Sequence, residues 1–220
     1  MHRADKNQPI EITVQAMKEL QDAGKVKYLG LSEVSASTLR RACEVAHIDA
    51  VQMEYSPFSL EVETEGLMAA CQELGVAIVA YSPLGKGFLT GSIRERAQLP
   101  ESDSRRMFPR FSEENFHKNL ELVDALNRIA DKKGCTVSQL VLAWLMRNPS
   151  VFPIPGTTRI GNFDENMGAL EVSLGEQDDC EIREAISSAE VVGARYPEAF
   201  VNGLFVDTIT MDEYKAERRL

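Results

Sequence analysis

The chain alternates short apolar runs with longer segments in which apolar residues recur every three or four positions. The runs are rich in Val, Ile and aromatic residues and have the length of strands: Tyr28 to Leu31, Ala50 to Tyr55, Val76 to Tyr81, and Val151 to Ile154. Each of the first three is followed by a helical pattern. Such a rhythm predicts parallel strands, and nearly continuous apolar character predicts strands that are buried on both faces.

Helix ends carry their own signals. Ser35 is placed to cap the helix after the first run. Gly75 lies where the helix after the second run needs a left-handed residue to end it. Thr136 and Gln139 have the spacing of a capping box, which predicts the start of the helix that carries Trp144.

Parallel strands covered by helices form either an open doubly wound sheet or a closed barrel. An open sheet that binds a dinucleotide is expected to carry GxGxxG at a strand-to-helix turn, and that motif is missing from the sequence. We therefore predict an α/β fold of the (β/α)8 barrel type. In such barrels the active site lies at the C-terminal ends of the strands, and the residues at that end of each apolar run are polar here.

Charge and composition exclude several classes of partner. The net charge of −10 and the pI near 4.9 repel phosphate backbones and anionic lipids, so we expect neither nucleic acid nor a membrane surface as a partner. The longest apolar run, Leu140 to Met146, is too short to span a bilayer. The N-terminus has no secretory signal pattern, which predicts a cytoplasmic location. The four cysteines are scattered without a CxxC, so we expect free thiols and no metal site.

Two glycine-bearing loops are candidates for binding an anion. In YSPLGKGFLTG, Tyr81 to Gly91, Gly85 and Gly87 allow backbone N–H groups to approach a phosphate, and Lys86 adds positive charge. The loop IPGTTR follows the last apolar run and precedes a helix expected to start near Asn162 to Asn166. Backbone donors, the helix dipole and Arg159 would converge there. Barrels often bind phosphate between their last two loops.

Residues 92–114 form a long polar segment between the third run and the next helix. A loop of this length is either functional or a solvated excursion. One reading is a lid that closes over an anionic ligand, and the other is a charged surface loop. The segment contains five arginines: Arg94, Arg96, Arg105, Arg106 and Arg110.

Six motifs follow one another along the chain: HRAD at His2 to Asp5, GLSE at Gly30 to Glu33, VQMEYS at Val51 to Ser56, YSPLGKGFLTG, RRMFPRF at Arg105 to Phe111, and IPGTTR with Asp164-Glu165-Asn166. In this order they resemble the aldo-keto reductases, in the branch that contains pyridoxal-reductase-like enzymes. The resemblance extends to about Pro197. It implies an incomplete barrel, roughly strands 4 to 8, over residues 1–200, followed by a tail at 201–220.

The resemblance also implies NADP as cofactor and assigns residues to it. Ser32 and Gln52 would bond the nicotinamide carboxamide, and Tyr81 would stack on its ring. The pyrophosphate would lie along Ser82, Leu84, Gly85 and Gly87. The loop after the last strand would hold the 2′-phosphate and the adenine: Gly156, Thr157, Thr158, Arg159 and Asn162, then Glu165 and Asn166.

Members of this family reduce an aldehyde or ketone by hydride transfer while a tyrosine, helped by a lysine and a carboxylate, donates the proton. A histidine orients the carbonyl, and His2 matches it. The strands with the aspartate, tyrosine and lysine would precede residue 1, so we expect a truncated barrel. Missing strands would leave unpaired sheet edges, which predicts self-association.

Three functions remain open at this point. The first is an NADP-dependent reductase of a small carbonyl substrate. The second is a catalytically inactive NADP-binding module or regulatory subunit, which would bind NADPH without turnover. The third is a phosphate-binding barrel of another class, an aldolase or isomerase, for which Glu33 and Glu54 would be the paired carboxylates. The identity of the substrate does not follow from the sequence.

Overall fold

A computed structural model describes residues 1–218. The chain forms two compact units. Unit 1 comprises Met1–Glu54, Glu61–Val79 and the C-terminal segment from Phe200 onward. Unit 2 comprises Tyr55–Leu60 and Ala80–Ala199.

Helices and short strands alternate along the described residues. The strands are β1 (Gly30–Ser32), β2 (Ala50–Glu54), β3 (Ala77–Tyr81) and β4 (Val151–Pro153). The α-helices are α1 (Ile10–Asp22), α2 (Ala36–Val45), α3 (Glu61–Thr64), α4 (Leu67–Leu74), α5 (Glu113–Lys133), α6 (Val137–Met146), α7 (Ile160–Met167), α8 (Glu176–Ser188), α9 (Glu198–Val201) and α10 (Met211–Glu217). Short 3-10 helices cover Gly85–Thr90, Arg96–Gln98, Ser104–Met107, Pro109–Phe111 and Gly168–Glu171.

The strands follow the sequence order β1-β2-β3-β4. β1 and β2 pair in parallel, with Ser32 opposite Gln52. β3 passes from unit 1 into unit 2, where the N–H of Ile154 donates to the carbonyl of Ala80 at 3.0 Å. The four apolar runs therefore form the predicted strands, and the α/β class with a parallel sheet is confirmed.

The N-terminal residues form a turn ahead of α1. Counting strands 4 to 8 implies five strands, whereas residues 1–218 contain four, and His2 to Asp5 belong to none of them. Asp5 instead closes a turn: its carbonyl accepts from the N–H of Gln8 and its side chain from the N–H of Asn7. A short polar side chain that bonds the backbone two residues ahead competes with strand pairing.

The predicted helix signals operate as expected. The Ser35 hydroxyl accepts from the N–H of Thr38 at 3.0 Å and caps α2. Gly75 is left-handed, with φ 67°, at the end of α4. Thr136 and Gln139 form a reciprocal capping box at the start of α6. Local sequence therefore sets these boundaries.

The core of unit 1 includes residues from helices and strands that are close in sequence. Val14 of α1, Leu39 of α2 and Val51 of β2 are fully buried. The C-terminal segment joins this unit, because Val206 forms a parallel bridge with Val34. The Thr208 hydroxyl also accepts from the N–H of Ile10 at 3.2 Å. The division into a barrel domain and a tail after residue 200 stays a prediction.

An ion pair ties three parts of unit 1 together. The Arg41 guanidinium bonds both carboxylate oxygens of Glu11, at 2.8 and 2.7 Å. The same group donates to the carbonyls of Thr208 and Ile209, both at 2.7 Å. The hydrogen bond from Arg41 lowers the pKa of Glu11 below its ordinary value of 4.5. The Arg41 guanidinium therefore links α2 to α1 and to the C-terminal segment.

Replacing Glu11 with glutamine is expected to lower the free energy of unfolding by about 1.5–3 kcal/mol at neutral pH, because a charge-assisted bidentate bond is lost. Since the folded-state pKa is depressed, the contribution is fully present above the ordinary pKa and disappears as the pH falls through the folded value. Urea unfolding followed by circular dichroism should therefore show a gap between wild type and E11Q that narrows below about pH 4.5.

Asp22→Asn is the matched control, since Asp22 pairs with Lys18 on the surface and should contribute less than about 1 kcal/mol. A difference in the free energy of unfolding between wild type and E11Q that stays constant down to pH 3 would contradict the proposed contribution of the Glu11–Arg41 pair.

The core of unit 2 is built around aromatic rings. The Phe88 ring lies 5.4 Å from Phe58, 5.0 Å from Phe111 and 4.7 Å from Phe116, centroid to centroid. Trp144 of α6 is buried, and its indole N–H donates to Asp179 at 2.8 Å. Helix α6 is therefore stabilised by apolar packing and by the hydrogen bond of the Trp144 indole N–H.

The cysteines are free thiols, as predicted. Burial raises the pKa of the Cys71 thiol to about 12, and Cys43 nearby adds to the shift. At neutral pH Cys71 is therefore a protonated thiol and a poor nucleophile. No helix within residues 1–218 combines the length and apolar character that crossing a bilayer requires.

Candidate functional site

Unit 2 contains a cavity of about 560 Å³ at the C-terminal ends of β3 and β4. One wall is the turn after β3, and the other is the loop between β4 and α7. The cavity brings together many of the residues that the sequence assigned to a nucleotide: Ser82, Leu84, Gly87, Gly156, Thr157, Arg159, Asn162, Glu165 and Asn166. Tyr81, Gly85 and Thr158 adjoin these residues in sequence without lining the cavity themselves.

The turn after β3 has an unusual backbone. Ser82 has φ 48°, and the consecutive residues Gly85, Lys86 and Gly87 have φ values of 56°, 57° and 90°. Tight turns with unusual backbone conformations form concavities that bind anions. In this turn the N–H groups of Gly85 and Gly87 donate to the carbonyls of Ser82 and Leu84, both at 2.9 Å, which sets its shape. A side chain at Gly85 would place its Cβ 2.8 Å from a ring carbon of Phe58, so glycine is required there by both conformation and space.

Among the three consecutive left-handed residues 85–87, Lys86 is the one that has a Cβ. The left-handed conformation costs such a residue about 1–2 kcal/mol relative to the right-handed one. Its ammonium lies 4.8 Å from the ring centre of Phe108 and 4.6 Å from that of Tyr196. Cation–π contacts contribute about 0.5–2 kcal/mol each, which is enough to offset the cost.

The opposite wall begins at the N-terminus of α7. The helix starts at Ile160, two residues before the predicted start, because Arg159 is its N-cap residue. The Thr157 hydroxyl accepts from the N–H of Arg159 at 3.1 Å, which shapes the entry into the helix. The N-terminal end of a helix favours negative charge. Within the part of the chain described, the exposed guanidinium of Arg159 forms no ion pair, so it is available to an anionic ligand.

Arg105 lines the same cavity from the 92–114 segment. Its guanidinium bonds Asp103 at 2.7 and 3.0 Å and donates to the Lys86 carbonyl at 3.2 Å. The hydrogen bond from Arg105 lowers the pKa of Asp103. The sequence had placed Arg105 in a candidate lid without assigning it to this wall.

The remaining arginines of the segment bond to protein groups. Arg94 pairs with Asp124 at 2.7 Å. The other three donate to a backbone carbonyl or a hydroxyl: Arg96 to Phe111, Arg106 to Leu99, and Arg110 to Ser59. The segment therefore contains three short 3-10 helices, and its arginines are tied to neighbouring protein groups.

The residues assigned to the nicotinamide fall in both units. In unit 1, Ser32 and Gln52 lie opposite each other in the pairing of β1 with β2. The Ser32 hydroxyl donates to the backbone carbonyl of Gln52 at 2.9 Å. In unit 2, the Tyr81 hydroxyl lies 3.3 Å from that of Tyr196. His2, the matched catalytic residue, is exposed in unit 1.

The two glutamates at the strand ends lie in unit 1, and the Glu33 carboxylate bonds to its neighbours there. Glu33 and Glu54 are both buried. A Glu33 oxygen accepts from the N–H of Glu54 at 3.3 Å, and another lies 3.7 Å from the Arg3 guanidinium. These bonds use Glu33 to join strand ends, which gives no support to the aldolase or isomerase hypothesis.

Residues 1–187 match the family model described as the Aldo/keto reductase family. This chain belongs to the aldo-keto reductase family. The resemblance seen in the six motifs is thereby confirmed over most of the chain.

Curated relatives agree with this membership. The chain is 49% identical over 214 residues to the aldo-keto reductase yakc of Schizosaccharomyces pombe, whose name specifies NADP(+). It is 45% identical to the aldo-keto reductase str7 of Strobilurus tenacellus and 46% identical to the probable aldo-keto reductase 1 of Glycine max. These alignments cover 96%, 94% and 89% of this chain. The chain spans only 63%, 62% and 56% of the lengths of these relatives.

Solved structures show the same fold. The glycerol dehydrogenase from Gluconobacter oxydans superposes with a TM-score of 0.80 at 23% identity, covering 88% of this chain and 59% of that one. A thermostable aldo-keto reductase in complex with the inhibitor epalrestat gives 0.63 at 30% identity, covering 85% and 57%. The α/β aldo-keto reductase fold is therefore shared with these proteins.

Proposed function

We propose that this chain binds NADP(H) and contributes to an enzyme that reduces an aldehyde or ketone to an alcohol by hydride transfer. The observation that carries the proposal is the unit 2 cavity, which is lined by a left-handed glycine turn and by the N-terminus of α7, where Arg159 forms no ion pair with the residues that the structure describes. Anionic ligands with two separated phosphate groups suit such a pair of walls. The name of the Schizosaccharomyces pombe relative supports NADP as the cofactor.

The cavity residues fit the phosphates of NADP by their chemistry. The turn formed by Ser82, Leu84, Gly85 and Gly87 would hold the pyrophosphate, with the N–H groups of Gly85 and Gly87 shaping the turn through bonds to the carbonyls of Ser82 and Leu84. Across the cavity, the Arg159 guanidinium and the Thr157 hydroxyl would hold the 2′-phosphate, together with Thr158 and Asn162. Glu165 and Asn166 would contact the adenine. Arginine suits this role because its planar fork bonds two phosphate oxygens at once.

At the reacting end, the chain's residues would bind and orient. Ser32 and Gln52 would bond the nicotinamide carboxamide, and the Tyr81 ring would stack on the nicotinamide. The side-chain amide of Gln52 has one donor group and one acceptor, which match those of a carboxamide. When bound, NADPH would supply the hydride. His2 would orient the carbonyl oxygen of a small substrate.

Several expectations from the sequence remain proposals. Four strands within residues 1–218, against eight in a closed barrel, support the partial barrel. Self-association through unpaired strand edges, the cytoplasmic location and the source of the proton donor stay predictions.

Carbonyl-dependent oxidation of NADPH by the purified chain tests the proposal. A panel of aldehydes and ketones is offered with NADPH or NADH, and the decrease in nicotinamide absorbance is followed. We expect carbonyl-dependent oxidation that is faster with NADPH, with the proton for the alkoxide taken from solvent, because no proton donor of this chain is assigned. The matched control is Arg128→Gln, since Arg128 is exposed on α5 and does not line the cavity. NADPH binding without turnover of any carbonyl would favour the inactive-module hypothesis.

A further inference from the structure

The turn after β3 poses a conformational problem at Lys86. Gly85, Lys86 and Gly87 are all left-handed, with φ values of 56°, 57° and 90°. Glycine adopts this region readily, whereas a residue with a Cβ does so at a cost in free energy. Something outside the turn must therefore stabilise Lys86 in this conformation.

Two aromatic rings contact the Lys86 ammonium from different parts of the chain. Phe108 lies in the 92–114 segment, and Tyr196 lies after α8. The ammonium is 4.8 Å from the first ring centre and 4.6 Å from the second. The rings also pack edge to face, 5.4 Å apart. Both are within the distance at which the negative face of a ring attracts a cation.

The two rings are themselves fixed in place. The buried Asn119 side chain donates to the carbonyl of Val192 at 2.9 Å and accepts from its N–H at 2.9 Å. It also donates to the Arg110 carbonyl at 3.0 Å. Arg110 in turn donates to the Gly193 carbonyl at 3.3 Å. Asn119 thus joins the segments that carry Phe108 and Tyr196.

We propose that Phe108 and Tyr196 act as an aromatic clamp: by binding the Lys86 ammonium they hold residues 85–87 in the left-handed conformation that receives a phosphate group. Phe108 and Tyr196 are positioning residues, because they act through Lys86 and do not line the cavity themselves. The inference rests on the proposed function in one respect, namely that this turn binds the pyrophosphate. It also explains why the ammonium of Lys86 contacts rings at the edge of an anion site.

A double-mutant cycle tests the clamp. Tyr196→Leu removes one ring and is expected to raise the Kd for NADPH about fivefold or more. Tyr196→Phe retains the ring and should restore most of the affinity. In a Lys86→Gly background, Tyr196→Leu should change the Kd by less than about twofold, because glycine needs no stabilisation and offers no cation.

The control variant is Tyr214→Leu, which removes a cation–π contact between Tyr214 and Arg218 in unit 1. It should leave the Kd unchanged. An equal loss of affinity on Tyr196→Leu with lysine or with glycine at position 86 would overturn the clamp, since Tyr196 would then act independently of Lys86.

Hydrogen exchange of the ligand-free chain separates this inference from the proposed function. Tyr196→Leu is expected to raise the exchange of backbone amides in residues 84–89 about fivefold. Unchanged exchange there would overturn the clamp. If the wild-type chain bound no NADPH, the proposed function would fail, while the exchange result would still decide whether Tyr196 holds the turn.

Discussion

Replacing Gly193 with alanine is expected to destabilise unit 2 by about 2–4 kcal/mol. Gly193 has φ 89°, a region that residues with a Cβ rarely adopt. The added Cβ would lie 2.8 Å from the Pro109 carbonyl carbon and 2.9 Å from the Arg110 nitrogen. Because both are backbone atoms, the clash cannot be relieved by a side-chain rotation. Urea unfolding followed by Trp144 fluorescence measures the loss.

Gly134→Ala separates the clash from the backbone strain. Gly134 is also left-handed, with φ 67°, but a Cβ there would meet nothing within 4 Å. It should cost only about 1 kcal/mol. Equal losses for the two variants would show that the 190–196 segment can move away from residues 109–110, contrary to the packing described.

Replacing Arg159 with glutamine is expected to raise the Kd for NADPH about 10- to 100-fold. The guanidinium would lose charge-assisted bonds to the 2′-phosphate, whereas NADH has no phosphate at that position. The Kd for NADH should therefore change by less than about threefold. Fluorescence titration of both nucleotides measures the two constants on the same variant.

Arg128→Gln is again the control for the loss of one positive charge, and it should alter neither constant. An equal loss of NADPH and NADH affinity in Arg159→Gln would place Arg159 at a part of the nucleotide that the two cofactors share.

Local sequence predicted most of the elements, and the physical reason is that their signals are short-range. A hydroxyl at Ser35 and a glycine at Gly75 act on neighbouring backbone groups, so their effect can be read without knowing the fold. Helix α7 begins at Ile160, two residues before the predicted start near Asn162, and its N-cap residue Arg159 makes no side-chain capping bond that the sequence could signal.

The candidate site was predictable only in part. The composition of the glycine turn and of the IPGTTR loop indicates candidate anion sites, and in the structure both loops line one cavity. The contacts of Lys86 with Phe108 and Tyr196 join residues far apart in the chain, and no local pattern predicts them. The role of Asn119 is likewise not predictable from the local sequence. In the sequence it is an ordinary polar residue of α5, whereas in the structure its side chain is buried and bonds Val192.

Unit 2 is proposed to bind NADP(H) through its phosphates. A titration of the purified chain with NADPH and then NADH, following quenching of Trp144 and the emission of the nicotinamide, measures this binding. Saturable binding of NADPH is expected, at least tenfold tighter than that of NADH, since only NADPH carries the phosphate for Arg159. Saturable binding of neither nucleotide, or equal affinity for both, would contradict it.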